Sequence, residues 1–397
     1  MKKSSKHLPL PSEHDHPESK GASASYFDSS DDSLDYLPTL GPLSTIKEGS
    51  PGDLDSDSRK DGEDWFALYN PREPRSLNVD LVFQVNHESI ACCVRFSKDG
   101  LWLATGCNRI ARIFDMRTHT LNCTLIDENI SQEKDMYIRS ICFSPDGKYL
   151  ATGAEDWLIR VNSLHYASLT GDLVCWDTDI PSILSSQIWD IARKCIRYTF
   201  KGHQDIVYTL DISHDGSFIV SGSGDNTMRI WDMTTRESKV FPIDGPDTER
   251  GVASVAISPD ARFVAAGSVD KVVRIWDVAT GTLVHYLRGH SDSVYSVAFM
   301  PDGKGLVSCS IDKTLKYWEF SAALSGPIET GGQLSECMRD FTGHRDYVLS
   351  VAISHDGQWI VSGSKDCGVQ FWDRHGRTHL MLQGHFNSGT QFSLRVF

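Results

Sequence analysis

One unit recurs six times along this chain, and it limits the possible folds more than any other feature. Each copy opens on a short alternating apolar run: Cys93-Val94-Arg95-Phe96, Ser140-Ile141-Cys142-Phe143, Thr209-Leu210-Asp211-Ile212, Ser254-Val255-Ala256-Ile257, Ser296-Val297-Ala298-Phe299 and Ser350-Val351-Ala352-Ile353. A turn follows each run: Lys98-Asp99-Gly100, Pro145-Asp146-Gly147, His214-Asp215-Gly216, Pro259-Asp260-Ala261, Pro301-Asp302-Gly303 and His355-Asp356-Gly357. Asp-Gly between alternating apolar runs signals a hairpin, because the turn needs a residue that accepts positive φ. Four copies continue to a third run six residues beyond an Asp: Asp225 to Trp231, Asp270 to Trp276, Asp312 to Trp318 and Asp366 to Trp372. The period is 42–54 residues where nothing interrupts it, so neighbouring units must stack to bury their apolar faces.

A four-stranded unit of this length, with Gly-His at its start and Trp-Asp near its end, resembles the WD repeat. The resemblance implies an all-β, WD-repeat β-propeller on a seven-bladed plan, with about six complete blades here. It also implies that the His, a strand Ser, the turn Asp and the Trp hydrogen-bond within a blade. The full sets are His203/Ser221/Asp225/Trp231, His290/Ser308/Asp312/Trp318 and His344/Ser362/Asp366/Trp372. Ser, His and Asp together invite a catalytic reading, but a trio repeated blade after blade behaves as scaffold. The chain has no Gly-x-x-x-x-Gly-Lys, no His-Glu-x-x-His and no Gly-x-Ser-x-Gly. The expectation is a protein that is not an enzyme and that uses no cofactor or metal.

Charge and composition narrow the partners. The net charge is −14, which suits direct contact with nucleic acid poorly, since phosphate backbones need a basic face. No window holds 18 uninterrupted apolar residues, so no membrane span is expected. The opening Met1-Lys2-Lys3-Ser4-Ser5 leads into no apolar stretch and does not read as a secretory signal. Residues 1–64 carry 14 acidic residues, 13 Ser and 6 Pro, a composition expected to stay disordered. His14 and His16 lie in this tail and read as solvated. The 10 cysteines are scattered without C-x-x-C and read as reduced, buried thiols.

A second, more specific resemblance rests on longer stretches. Leu68-Tyr69-Asn70-Pro71, Val79-Asp80-Leu81-Val82, Cys92-Cys93-Val94-Arg95-Phe96 and Leu103-Ala104-Thr105-Gly106-Cys107-Asn108 are similar to the fungal Tup-type general transcriptional co-repressors, which are Groucho-like. So are Tyr137-Ile138-Arg139-Ser140-Ile141-Cys142-Phe143 and Leu380-Met381-Leu382-Gln383-Gly384-His385. The similarity runs over residues 65–388. It implies a nuclear (also cytoplasmic) scaffold whose propeller top face binds DNA-bound, sequence-specific repressors and links them to histone tails and histone deacetylases. In that family an N-terminal helical region makes a tetramer and holds a TPR-repeat partner. No heptads precede residue 65, so that partner is not carried over. A strand near Val79–Val85 is expected to complete the last blade and close the ring. The other reading is a substrate-recognition subunit of a ubiquitin ligase, which wants an F-box-like segment upstream that is not seen.

Two departures stand out. After Asp156-Trp157-Leu158-Ile159-Arg160 come residues 161–187, and only then Ile188-Trp189-Asp190. Removing those 27 residues restores the six-residue Asp-to-Trp step. The segment is a whole number of codons, starts on Val (codons GT…) and ends on Gln (codon CAG), which are the ends of an intron; Cys175-Trp176-Asp177 within it reads as a decoy. The other departure is residues 389–397, which follow Gly384-His385 without an Asp-Gly turn or a Trp-Asp.

Partner-binding positions follow from the propeller plan, which puts two loop classes on one rim. The residue before each Ser/Thr/Cys of the first run belongs there: Cys92, Arg139, Tyr208, Ala253, Tyr295 and Leu349. So does the residue before each turn Asp: Glu155, Gly224, Val269, Ile311 and Lys365, with Asn387 at similar height. The resemblance singles out Tyr208, Val269, Tyr295, Lys365 and Asn387 as repressor contacts.

Overall fold

The computed structural model describes residues 58–126, 135–156, 158–163, 188–190, 195–243, 251–320, 333–335 and 337–384. His14, His16, residues 164–187, Asn387 and residues 389–397 lie outside the described residues. The described residues form six sheets, each built around an antiparallel meander of four strands, and three of them carry further strands at their outer edge. Blade 1 uses Cys93–Phe96, Trp102–Gly106, Ile110–Asp115 and Thr120–Ile126; blade 2 uses Ile138–Phe143, Tyr149–Ala154, Ile159–Ser163 and Cys195–Phe200. Blade 3 uses Val207–Ile212, Phe218–Ser223, Thr227–Asp232 and Ser238–Pro242; blade 4 uses Val252–Ile257, Phe263–Ser268, Val272–Asp277 and Leu283–Arg288. Blade 5 uses Val294–Phe299, Gly305–Ser310, Thr314–Glu319 and Arg339–Thr342; blade 6 uses Val348–Ile353, Trp359–Ser364, Gly368–Asp373 and Thr378–Gln383.

The first hairpin of each blade is fixed by its turn. In blade 1 the Ser97 hydroxyl donates to the Asp99 carboxylate (2.5 Å) and accepts from Trp102 N–H (2.9 Å), while Gly100 N–H returns to Ser97 O (2.8 Å). Gly100, Gly147, Gly216, Gly303 and Gly357 all sit at positive φ there, and blade 4 forces Ala261 into the same left-handed conformation at 58°.

Neighbouring blades are joined chiefly by side chains, with an isolated antiparallel bridge at Asn108 and Tyr137 added between blades 1 and 2. The hydroxyls of Ser140, Thr209, Ser254 and Ser296 accept from Leu210, Val255, Val297 and Val351 N–H of the next inner strand, at 2.9–3.2 Å. Blade 1 has Cys93 in this position, and its thiol donates to Ile138 O at 3.2 Å. A glycine near the end of the second strand makes room for the same contact. A Cβ on Gly153, Gly222 or Gly267 would meet Val207, Val252 or Val294 of the next blade at 2.5–2.8 Å. The larger apolar clusters consequently span two blades, as where Ile275 and Leu287 of blade 4 pack with Leu306 and Trp318 of blade 5. Burying such faces is the main favourable term in folding. Cys92, Cys93, Cys107, Cys123, Cys142, Cys309, Cys337 and Cys367 are free thiols; Cys142 is buried, and burial pushes its thiol up to about 12.

Two expectations are corrected. The strand expected near Val79–Val85 is not formed: residues 70–92 enter no ladder, because no further strand lies beside them among the described residues. Phe66–Tyr69 instead pairs with Thr378–Gln383 of blade 6, Tyr69 opposite Leu380, and its inner face packs Ala67 and Tyr69 on Leu380. Structure also starts before residue 65. Arg59–Asp61 forms a hairpin with Phe66–Tyr69, closed by Gly62 N–H to Trp65 O at 2.7 Å. The inner strands pack each against the next from blade 1 to blade 6, and among the described residues no comparable contact joins blade 6 back to blade 1.

Candidate functional site

The His/Ser/Asp/Trp sets of blades 3, 5 and 6 share one geometry. His203 Nε2 lies 2.7 Å from Ser221 Oγ and its Nδ1 2.8 Å from Asp225. Trp231 Nε1–H donates to Ser221 Oγ at 2.8 Å. The blade 5 distances are 2.8, 2.8 and 2.8 Å, and those of blade 6 are 2.7, 3.0 and 2.8 Å. Donor counting assigns the protons. The indole N–H can only donate and the Asp carboxylate can only accept, so a neutral ring with its proton turned to the Asp accepts at Nε2 from the Ser hydroxyl, whose oxygen takes the indole N–H. The His must then carry its proton on Nδ1 and donate it to the Asp. Burial works against the ionised carboxyls of Asp225, Asp312 and Asp366, but their hydrogen bonds, led by the one from His, hold all three below the usual carboxylate range.

Distances alone would pass these trios as hydrolytic. Burial decides against it. Ser221, Ser308 and Ser362 are each 0% exposed, so no substrate carbonyl can reach the hydroxyl, whose oxygen already accepts the indole N–H. The sets tie the loop entering a blade to its second and third strands. Blade 4, with Ala266 in place of the Ser, holds its turn carboxylate differently: Arg274 pairs with Asp270 at 3.0 and 2.6 Å.

The rim is built by a repeated irregularity. In blades 2 to 6 the first hairpin slips register by one residue at the start of the inner strand, between Ile138 and Ser140, Val207 and Thr209, Val252 and Ser254, Val294 and Ser296, and Val348 and Ser350. The extra residues are Arg139, Tyr208, Ala253, Tyr295 and Leu349, and all are half-buried. A bulge leaves one residue out of the ladder and turns its side chain away from the sheet.

Around blades 1 to 4 these residues converge. Arg139 pairs with Glu155, Nε to Oε1 at 2.8 Å, and lies 5.5 Å from the Tyr137 ring. Tyr208 has its hydroxyl pushed up by burial and by Asp205, and it feels both Arg139 and Glu155. Burial pushes the Cys92 thiol up to about 11, against the pull of Arg139. A Cβ on Gly251 would sit 3.5 Å from Val269 and 4.0 Å from Tyr208, so both side chains border that glycine. On blade 6, Lys365 lies 5.5 Å from the Tyr347 ring. Among the described residues no cluster of His, Cys, Asp and Glu has the arrangement of a metal site.

The family model for the WD domain, G-beta repeat, matches residues 80–115, 129–162, 194–232, 238–277, 281–319 and 335–373. The chain belongs to the WD-repeat family. It is 50% identical over 348 residues to the transcriptional repressor rco-1 of Neurospora crassa, covering 86% of this chain and 52% of that protein. It is 37% identical over 401 residues to the general transcriptional corepressor TUP1 of Saccharomyces cerevisiae, covering 85% and 52%. It is 44% identical over 317 residues to the transcriptional repressor tup12 of Schizosaccharomyces pombe, covering 79% and 47%. The chain thus spans about half the length of the curated relatives it matches.

Some residues of the WD-repeat plan escape a motif search. His87 fills the Gly-His position of blade 1, although Asn86 precedes it and no Asp faces it. It turns instead to Cys107 Sγ (3.3 Å) and Arg112 (3.1 Å), and burial and then Arg112 lower its pKa. Phe114 replaces the Trp there, and the hydroxyl of Thr105, at the Ser position, is buried without a hydrogen-bond partner. On the rim, Asp205, Asp292 and Asp346 each cap the next backbone N–H at 2.7–2.8 Å. The His-x-Asp spacing they share is the signal that would have found them.

Proposed function

We propose that this chain is the WD-repeat part of a transcriptional co-repressor, a nuclear scaffold without chemistry of its own. Its rim docks DNA-bound, sequence-specific repressors and brings histone tails and histone deacetylases to the same place. The observation that carries this reading is the set of bulged residues, which offers two tyrosines, a leucine and an ion-paired arginine at equivalent heights on successive blades. Aromatic and arginine anchors with apolar neighbours are what interface cores use. Similarity to proteins named as transcriptional repressors and co-repressors supports the same reading. A net charge of −14 favours contact with DNA through other proteins.

Tyr208, Val269, Tyr295 and Lys365 act as the repressor contacts, flanked by Cys92, Arg139, Glu155 and Leu349. Tyr295→Ala is the sharpest test. Titration with a repressor segment is expected to show a loss of more than about 1 kcal/mol, roughly fivefold in Kd, with the thermal midpoint unchanged. Equal affinity for the variant and the parent would remove Tyr295 from the site.

A further inference from the structure

We infer that Ile188-Trp189-Asp190 is the proper end of the third strand of blade 2, displaced outward by a removable insert, residues 161–187. The register carries this. Ile159–Ser163 pairs with Tyr149–Ala154, with Val161 opposite Ala151, Asn162 opposite Leu150 and Ser163 opposite Tyr149. In blade 3 the matching partners are Ile230 opposite Val220, Trp231 opposite Ile219 and Asp232 opposite Phe218. The insert's first three residues therefore stand in the Ile-Trp-Asp positions of the repeat. Ile188-Trp189-Asp190 lies directly alongside them as a parallel strand, Ile188 level with Val161, Trp189 with Asn162 and Asp190 with Ser163. Two segments thus stand at one register, and only one can occupy the ladder.

The pattern of the other blades says which belongs. The third-strand Trp is buried in blades 3 to 6, as Trp231, Trp276, Trp318 and Trp372. Blade 2 is prepared for the same residue. Thr152 holds the position of Ser221, the hydroxyl that receives the Trp N–H in blade 3, and is itself buried. Cys195–Phe200 already pairs in the outer-strand position, with Phe200 opposite Ile159. Joining Arg160 to Ile188 slides Ile188-Trp189-Asp190 sideways by one strand spacing, with no shift along the strand; Tyr149–Ala154 stays where it is, and the start of the outer strand, where Arg197 now stands opposite Ile188 and Cys195 opposite Asp190, moves in with it. The insert is a whole number of codons with GT and AG available at its ends, so its removal from the transcript keeps the frame and converts one form of the blade into the other.

The two forms can be compared directly. The full chain lacking residues 161–187 is expected to melt several degrees above the intact chain. Trp189→Phe should lower the midpoint of the shortened chain and leave that of the intact chain unchanged. A shortened chain that melts no higher, or fails to fold, would overturn the strand assignment, as would a Trp189→Phe effect of equal size in both. Amplification of mature transcripts across the junction is expected to give a product shorter by 81 nucleotides. A single product carrying the segment would overturn its removal in the cell.

Discussion

Trp318→Ala is expected to cost about 3–5 kcal/mol of unfolding free energy, the largest loss from any single substitution considered for this chain. Trp318 is 0% exposed and packs in the cluster that joins blades 4 and 5, so truncation opens a cavity between two blades. It also removes the donor to Ser308. Trp318→Phe separates the two effects. It keeps most of the ring but takes the indole donor away from Ser308, whose hydroxyl keeps its bond to His290, a cost of about 0.5–1.5 kcal/mol for one lost hydrogen bond. Urea denaturation at neutral pH reads both. A Trp318→Phe chain as stable as the parent would show that the indole N–H contributes only shape.

Stability should also fall steeply in acid. Asp225, Asp312 and Asp366 all have folded-state pKa values below the ordinary value, and Asp215 is held at about 2, chiefly by the Ser213 hydroxyl. A carboxylate depressed in the folded state contributes stability that is fully present above its unfolded pKa of about 3.9. That contribution is lost as the pH falls through the folded value. Unfolding free energy is therefore expected to hold above about pH 5 and to decline below about pH 4. Asp211 works the other way: burial raises its pKa against the pull of Arg95, so protonation in mild acid relieves rather than costs. Asp312→Asn keeps an acceptor for the His290 Nδ1–H and removes one titration. It should flatten the acid limb by up to about 1.4 kcal/mol per pH unit, one proton's worth. An acid limb of the same slope in the parent and this variant would show that the tetrad carboxylates do not govern acid unfolding.

Much of this architecture is legible in the chain because each blade repeats the same local physics. Asp-Gly turns, the six-residue Asp-to-Trp step and the small residue facing the next blade are all set by short-range geometry. What was not legible depends on contacts far apart in sequence. Nothing around Phe66-Ala67-Leu68-Tyr69 announces that it pairs with Thr378–Gln383. Nor does the sequence show that Gln333–Ser335 adds as a parallel strand to Leu283–Arg288 and covers the outer edge of blade 4, a device that blunts an open sheet edge. The rim positions were reachable, since a residue before a repeated Ser can be counted. That these residues are bulges could not be read, because a one-residue slip leaves the apolar alternation on either side intact. Degenerate blades also mislead: His87 lacks its Asp and its Gly, and only the fold returns it to the His position.

On the function proposed above, the rim holds DNA-bound repressors and the His/Ser/Asp/Trp sets beneath it keep the blades in place. Affinity purification of the intact chain beside a Tyr208→Ala, Tyr295→Ala chain, with proteins identified by mass spectrometry, tests this most directly. Sequence-specific repressors and deacetylase subunits should accompany the parent and be lost from the doubly substituted chain, at equal thermal midpoints. Recovery of cullin-linked ligase subunits instead, or of the same repressors with both chains, would contradict it.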